Sequence, residues 1–383
     1  MTPSSPSSRR ALVTRARRVV IKVGSAVLTA GGAGLDRGRI EALAADMAAV
    51  GEGRELVLVS SGAIAAGFAK LGLTHERKRA PLPLKQAAAA VGQSALMWAY
   101  ESAFAQHDLK VAQVLLTADD LASRSRFLNA RGTMAALLDQ RVVPIVNEND
   151  TVAVDEIKFG DNDNLSAMIT HLVDADLLII LSDIDGLYSA DPKQHPDARL
   201  IPLVEKTSAE VEKLGGGASS VGTGGMRSKL MAARKVTQRG VPMVVASGRR
   251  ERVLTELFAG VELGTLFLPQ ARRAESRKHW IAHIAAPRGT VRVDAGAVAA
   301  LVQRQKSLLP GGVVAVDGSF KMGDCVTCVD PAGQAFARGL IRYSAAELGR
   351  IKGLKTSQIE GVLGYKDYDE VIHRDDLVLL AGE

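Results

Sequence analysis

Cysteine, tryptophan and long apolar runs are all scarce in this chain of 383 residues. With only two cysteines, Cys325 and Cys328, it carries no disulfide framework, which fits a reducing compartment. Their lone C-x-x-C lacks the second pair that a four-ligand zinc site needs. The local sequence CVTCV alternates like a strand, on which residues three apart face opposite ways, so both cysteines read as structural. No stretch approaches the roughly 18 uninterrupted apolar residues of a membrane span. A signal-peptide pattern is missing too, so the expectation is a cytoplasmic location and no membrane partner. Net positive charge is nearly absent from the body of the chain. The formal net charge is +6. Arg9, Arg10, Arg15, Arg17 and Arg18, with no acidic residue among the first 18, account for almost all of it. The broad basic footprint of a nucleic-acid binder is therefore not there. Two readings of the leader MTPSSPSSRRALVTRARR stay open: a disordered extension, or an Arg- and Ser-rich transit segment.

What is present is an ordinary globular composition, 47% hydrophobic and 23% charged, long enough for two or three domains. Apolar runs rich in Val, Ile and Leu recur at 19–24, 55–60, 111–116, 142–147, 176–181 and 241–246. None alternates cleanly with polar residues, as expected of strands buried on both faces. Ala-rich helical stretches lie between them, at 40–50, 85–107, 129–140 and 226–239. This alternation predicts a three-layer αβα sandwich around a mainly parallel sheet. Past a polar stretch at 269–278 the runs shorten and Gly, Pro and Asp turns multiply, which predicts a small β-rich domain or barrel. The expected organisation is a leader at 1–17, an α/β domain at 18–268, a linker at 269–278 and the β-rich domain at 279–383.

In such sheets ligands bind beyond the carboxyl ends of the strands. Small and acidic residues cluster there: Gly24 and Ser25; Ser60, Ser61 and Gly62; Asn147 to Asp150; Ser182 and Asp183. Neither the G-x-x-x-x-G-K-[ST] loop nor G-x-G-x-x-G is present. Two other glycine-rich elements are, each with a lysine: Lys22-Val23-Gly24-Ser25, and Gly222-Thr223-Gly224-Gly225-Met226-Arg227-Ser228-Lys229 running into a helix. Glycines let backbone N–H groups approach phosphate oxygens, and a helix N-terminus favours an anion. Either loop alone also fits a structural turn. More distinctive is Asn147-Glu148-Asn149-Asp150 followed by Gly160-Asp161-Asn162-Asp163-Asn164. Carboxylates this dense repel one another unless a cation or an ammonium group binds among them. Asn and Asp together can hold both charged groups of an amino acid. Part of the segment also fits a turn with a helix N-cap.

Taken together, VVIKVGS, VSSGAIAAG, AAVGQ, RFLNARGT, PIVNEND, KFGDNDNLSA, ADPK and VGTGGMRSKL resemble the glutamate 5-kinase branch of the amino-acid kinase family. The C-terminal LLPGGVVAVDGSF, ARGLIRYSA, VLGY and VIHRDDLVLL resemble a PUA domain, and the likeness spans all but the leader. The resemblance implies ATP-dependent phosphorylation of the γ-carboxylate of L-glutamate, the first step of proline synthesis. It implies that Lys22 and Lys229 contact the transferring phosphoryl group while Asp163 holds both lysines. Ser61, Asp150 and Asn162 would bind glutamate. Ser182 and Asp183 would lie on the nucleotide, with Thr223, Gly224, Gly225, Met226, Arg227, Ser228 and Lys229 closing over it. Where the family often has Thr-Asp, this chain has Ser182-Asp183 and keeps the hydroxyl. The resemblance further implies a homo-oligomer and feedback inhibition by proline.

Chemistry agrees. The side-chain carboxyl of free glutamate titrates near about 4.3, so at neutral pH it is already a nucleophile and needs no general base. The obstacle is anion meeting anion, which lysines, Mg²⁺ and backbone donors must neutralise. Mg²⁺ would be held mostly by ATP phosphates and water. The acyl phosphate product hydrolyses readily, so a closing loop or a waiting next enzyme of the pathway is expected. Two rival readings are another amino-acid kinase, acting on N-acetylglutamate, and an RNA-binding PUA protein with a relic kinase domain. The first suffers from the carboxylates at 150–163, which suit a free ammonium group. The second suffers from the intact lysines and from the even charge of Glu275–Glu383, with 14 basic residues against 13 acidic.

Overall fold

The computed structural model describes residues 6–29, 34–77, 79–153, 162–192, 194–215, 225–270 and 287–380. The chain divides into two compact units: Met1–Ala122 with Ala130–Arg272, and Ser123–Asn129 with Arg273–Glu383. Most of the expected linker at 269–278 lies outside the described residues.

The first unit is built on an eight-stranded sheet. Its strands are β1 (Arg18–Val23), β2 (Glu55–Ser60), β3 (Lys110–Leu116), β4 (Val142–Glu148), β5 (Leu177–Ser182), β6 (Leu203–Val204), β7 (Met243–Ser247) and β8 (Thr265–Phe267). They lie in the order β3-β4-β2-β1-β5-β7-β8-β6. Every pairing is parallel except β7 with β8. The six apolar runs of the sequence are the six long strands. Their lack of alternation has the expected cause: β1, β2, β4 and β5 are buried almost end to end. Only β3, at the sheet edge, keeps exposed Lys110 and Gln113.

Helices cover both faces, giving the three layers. Val19, Ile21 and Val23 of β1 share a core with Ile40, Leu43 and Met47 of helix Arg37–Gly51, Leu96, Tyr100 and Phe104 of helix Leu82–Ala105, and Val253, Leu254 and Leu257 of helix Val253–Phe258. A strand alternates its side chains, so Val20 and Lys22 face the other way. On that side lie helix Asn162–Leu172, burying Leu165, Ile169 and Leu172, and helix Met226–Gln238, burying Leu230, Ala233 and Val236. Lys22 thus reaches the start of helix Asn162–Leu172 because of its place in the alternation.

Helix Leu82–Ala105 packs unusually close to helix Ala63–Lys70, and two glycines permit it. A Cβ on Gly67 would fall 1.7 Å from the Ala88 carbonyl oxygen, and one on Gly92 would fall 1.8 Å from that of Ala63. Only hydrogen fits at either crossing.

The leader departs from expectation. Instead of disorder, Pro6–Thr14 is helical. Val13 and Ala16 are buried in the core of the first unit. Arg54 donates to the carbonyls of Thr14 and Ala16, each at 3.2 Å. Arg9 and Arg10 pair with Glu205 and Glu262. Two small apolar side chains and these carbonyl contacts outweigh the polar composition on which disorder was expected.

The second unit holds a five-stranded sheet, ordered β10-β9-β11-β12-β13, from β9 (Gly289–Val293), β10 (Val313–Gly318), β11 (Cys325–Val329), β12 (Ala335–Leu340) and β13 (Leu377–Leu379). Only β11 with β9 is parallel. Its core gathers Val291, Val293, Val326, Cys328, Ile341, Tyr343, Leu348 and Ile351. Cys325 sits apart, with Leu340, so the two cysteines occupy different faces and form no disulfide with each other. Burial pushes the Cys328 thiol up to about 12, leaving it unreactive.

Candidate active site

The carboxyl ends of β1, β2, β4 and β5 meet at one edge of the sheet, two central strands flanked by one neighbour each. The chain turns tightly there. Gly24 N donates to the carbonyl of Leu181 on β5 at 3.1 Å, and Ser61 N to that of Val23 at 3.2 Å. Gly248, just past β7, donates to Ser182 at 2.7 Å. Asp46 anchors the following turn, accepting from the backbone of Leu254 at 2.8 Å and Thr255 at 2.9 Å. Such capping satisfies N–H groups that the helix itself cannot.

At this edge sits a buried charge cluster. Asp163, fully buried, is the second residue of helix Asn162–Leu172. Its Oδ1 lies 2.6 Å from Lys22 Nζ and its Oδ2 lies 3.2 Å from Lys229 Nζ. Ser228 Oγ donates to the same Oδ2 at 2.6 Å. Both lysines are buried. Burial alone would raise the Asp163 carboxyl, but the two ammonium groups and the hydrogen bonds overcome it and hold the group at about 2. Burial pushes the Lys229 ammonium down, Asp163 opposes that shift, and Lys22 adds to it. One carboxylate thus faces two cations, leaving the cluster a net positive charge that favours an anion.

Next to it lies an amide cluster. Asn162 precedes Asp163, and its Nδ2 donates to Ser60 O at 2.9 Å, Ser61 Oγ at 2.8 Å and Asn147 Oδ1 at 3.1 Å. Asn147, at the end of β4, in turn donates from Nδ2 to Gln93 Oε1 at 2.9 Å. Asp150 follows on the turn after β4. It has no hydrogen-bond or ion-pair partner among the described residues, and burial pushes its carboxyl up to about 6. A half-buried carboxylate without a partner is a place for an ammonium group.

Of the residues singled out in the sequence, Lys22, Asp163, Ser228 and Lys229 come together directly. Ser61 and Asn162 join them through the Asn162-Asp163 step. Ser182 is buried at the end of β5 and bonds to exposed Asp183 at 3.2 Å. The Asp183 charge acts on Lys229, which ties the β5 end to the cluster. Gly225, Met226 and Arg227 lead into helix Met226–Gln238. Thr223 and Gly224 lie outside the described residues. Sequence reasoning placed Asn147 in the polar cluster after the fourth strand and gave no role to Gln93. The available signal was a lone amide in the apolar run AAAAVGQSALM. Among the described residues no group of three or more potential metal-ligating side chains forms.

Comparison with known proteins shows which families the chain matches. The model of the amino acid kinase family matches residues 17–247 and that of the PUA domain matches residues 289–363. The chain is 53% identical over 374 residues to a glutamate 5-kinase of Pelobacter propionicus, covering 97% of this chain and 100% of that protein. It is 54% identical, with the same coverage, to a glutamate 5-kinase of Geobacter sp. strain M21. With that of Moorella thermoacetica it shares 53%, over 98% of that protein.

Proposed function

The chain belongs to the amino acid kinase family and, within it, to the glutamate 5-kinases, and from that premise we infer that it transfers the γ-phosphoryl group of ATP to the side-chain carboxylate of L-glutamate, the entry step of proline synthesis. The observation that carries the residue assignment is the buried Lys22–Asp163–Lys229 cluster. Phosphoryl transfer asks the protein for position and for positive charge on the equatorial oxygens. Two lysines fixed by one shared carboxylate supply both, because they need not reorganise as charge develops. Ser228, itself tied to Asp163, couples the start of helix Met226–Gln238 to the same centre. Ser182 and Asp183, with the glycine-rich sequence that precedes that helix, would form the nucleotide side.

Asp163 has both oxygens engaged, so it is a poor ligand for a metal of the protein's own. This donor set suits a magnesium ion that arrives on the ATP phosphates and keeps its waters. When bound, such an ion screens the phosphates from the incoming carboxylate. Ser61 and Asn162 then hold glutamate, whose ammonium group answers Asp150. An N-acetylated substrate would leave the Asp150 carboxylate buried without a counter-charge, which weighs against that alternative. Proline, with the same α-ammonium and α-carboxylate but no side-chain nucleophile, fits as a competitor for this site. Self-association of the chain stays part of the proposal through family likeness.

The test is turnover with a panel of free amino acids, with hydroxylamine present to trap an acyl phosphate as the hydroxamate. Magnesium-dependent hydroxamate from glutamate is the expected product. Hydroxamate from another acceptor, with none from glutamate, overturns the reading.

A further inference from the structure

Helix Leu82–Ala105 contributes nothing to the cluster of lysines, yet it meets the glutamate side twice. Gln86 Nε2 donates to the carbonyl of Ala153 at 3.2 Å, and Gln93 Oε1 accepts from Asn147 at 2.9 Å. The two glutamines are seven residues apart, two helical turns, and so share a face. Between their contacts runs Asn147–Ala153, the segment that carries Asp150. Within it Val152 N and Ala153 N both bond back to the Asn149 carbonyl, so the segment is a closed turn held at each end. The helix itself is fixed against helix Ala63–Lys70 by the Gly67 and Gly92 crossings, and helix Ala63–Lys70 starts two residues after Ser61.

The amide cluster has a direction. Ser60 offers Asn162 a backbone carbonyl, which only accepts, so the Asn162 NH₂ must face it. That NH₂ also meets Asn147 Oδ1, which fixes the Asn147 amide with its own NH₂ toward Gln93. Gln93 must then present oxygen. Its NH₂ is left over, and Gln93 Nε2 is indeed buried without a hydrogen-bond partner. A buried donor without a partner is costly, and its presence marks the oxygen of Gln93 as the group this position retains.

On the reading that glutamate is the substrate, we propose that Gln93 is a positioning residue for its recognition. Its Oε1 terminates a one-way amide relay, Gln93–Asn147–Asn162, that supports the Ser60 carbonyl in keeping the Asn162 oxygen turned toward the ligand. Gln86 holds the far end of the Asp150 turn. Without the acceptor at 93, Asn147 can turn its NH₂ toward that of Asn162, the Ser60 carbonyl and Ser61 hydroxyl alone are left to orient Asn162, and glutamate binds less tightly. ATP contacts and the chemical step are untouched.

Kinetics of the full chain with glutamate, ATP and magnesium test this on Gln93→Met, Gln93→Glu, Asn147→Ala and the Gln93→Met/Asn147→Ala pair, with Tm measured beside each. Gln93→Met keeps the volume, removes the acceptor and removes the orphan donor. It should raise KM for glutamate by about five- to tenfold, the scale of one lost hydrogen bond, with kcat and KM for ATP within about twofold. Its Tm should fall only slightly, since the orphan donor at 93 goes while the buried Asn147 Nδ2 loses its acceptor. Gln93→Glu keeps an acceptor and should restore KM to within about twofold of the parent. Added to Asn147→Ala, Gln93→Met should change KM little further, since both act through one relay. If Gln93→Met leaves KM for glutamate unchanged, or if the Met and Glu variants show the same raised KM and lowered kcat and Tm, Gln93 is packing and the inference is wrong. A parent chain active on another acceptor but silent on glutamate removes the substrate reading and this inference with it.

Discussion

Single residues carry the chemistry, and their surroundings fix what each substitution should do. Lys22 and Lys229 face a carboxylate that cannot leave, so either lysine cut to alanine removes charge from the transition state more than from bound glutamate. Lys22→Ala and Lys229→Ala should each lower kcat by about 10²–10³ with a smaller change in KM for glutamate, measured by steady-state kinetics. Near-normal kcat in both would remove the phosphoryl-transfer role. Asp150 is the opposite case, a carboxyl raised to about 6 by burial with no partner. Glutamate keeps its ammonium charge across neutral pH, so on the proposed reading its binding needs Asp150 ionised. Glutamate affinity should therefore rise as pH rises from 5 to 7 and level off above, and Asp150→Asn should flatten that profile. The stability sign is reversed. A carboxyl raised in the folded state binds its proton longer there than in the unfolded chain, so the ligand-free protein loses stability between pH 4 and 6. Asp150→Asn should be the more stable form at pH 8, by on the order of 2 kcal/mol, with the gap closing below pH 4 in denaturant titrations. A profile of KM flat from pH 5 to 7 in the parent chain contradicts this account of Asp150.

At the scale of elements, the long strands were legible because burial on both faces leaves a run of Val, Ile and Leu that few other structures produce. The two short strands β6 and β8 were not, since two or three residues carry no period to read. The leader misled because composition reports solvation and not the docking of Val13 and Ala16 onto a core built far away in sequence. Among site residues, Lys22, Asp163 and Lys229 stood out through their motifs. Gln93 did not, because its partner Asn147 lies 54 residues on and only folding pairs them. Another feature visible only in three dimensions is the crossing at Gly92. A methyl group there would meet the Ala63 carbonyl at 1.8 Å, so Gly92→Ala must push two helices apart. The expected cost is about 1–3 kcal/mol, seen as a lower Tm, with activity falling as well because helix Ala63–Lys70 starts next to Ser61. An unchanged Tm would mean that the crossing tolerates a gap the packing denies.

For the whole molecule, every residue assigned to chemistry precedes residue 230, while the PUA match begins at 289. A chain ending near residue 270 should still form the hydroxamate, and proline should inhibit it less at saturating glutamate than at low glutamate. Loss of activity with retained folding, checked by circular dichroism, would show that catalysis needs the C-terminal unit. Glu275–Glu383 has close to equal numbers of acidic and basic residues, too even for the counterion release that drives most phosphate-backbone binding. The central claim is narrower: this site takes an amino acid with a free ammonium group and phosphorylates its side-chain carboxylate. The most direct measurement is the ratio of kcat/KM for glutamate over N-acetylglutamate in an ADP-release assay. A buried carboxylate left without its counter-charge should make that ratio at least about 100. Equal rates, or a preference for the acetylated substrate, would contradict the account.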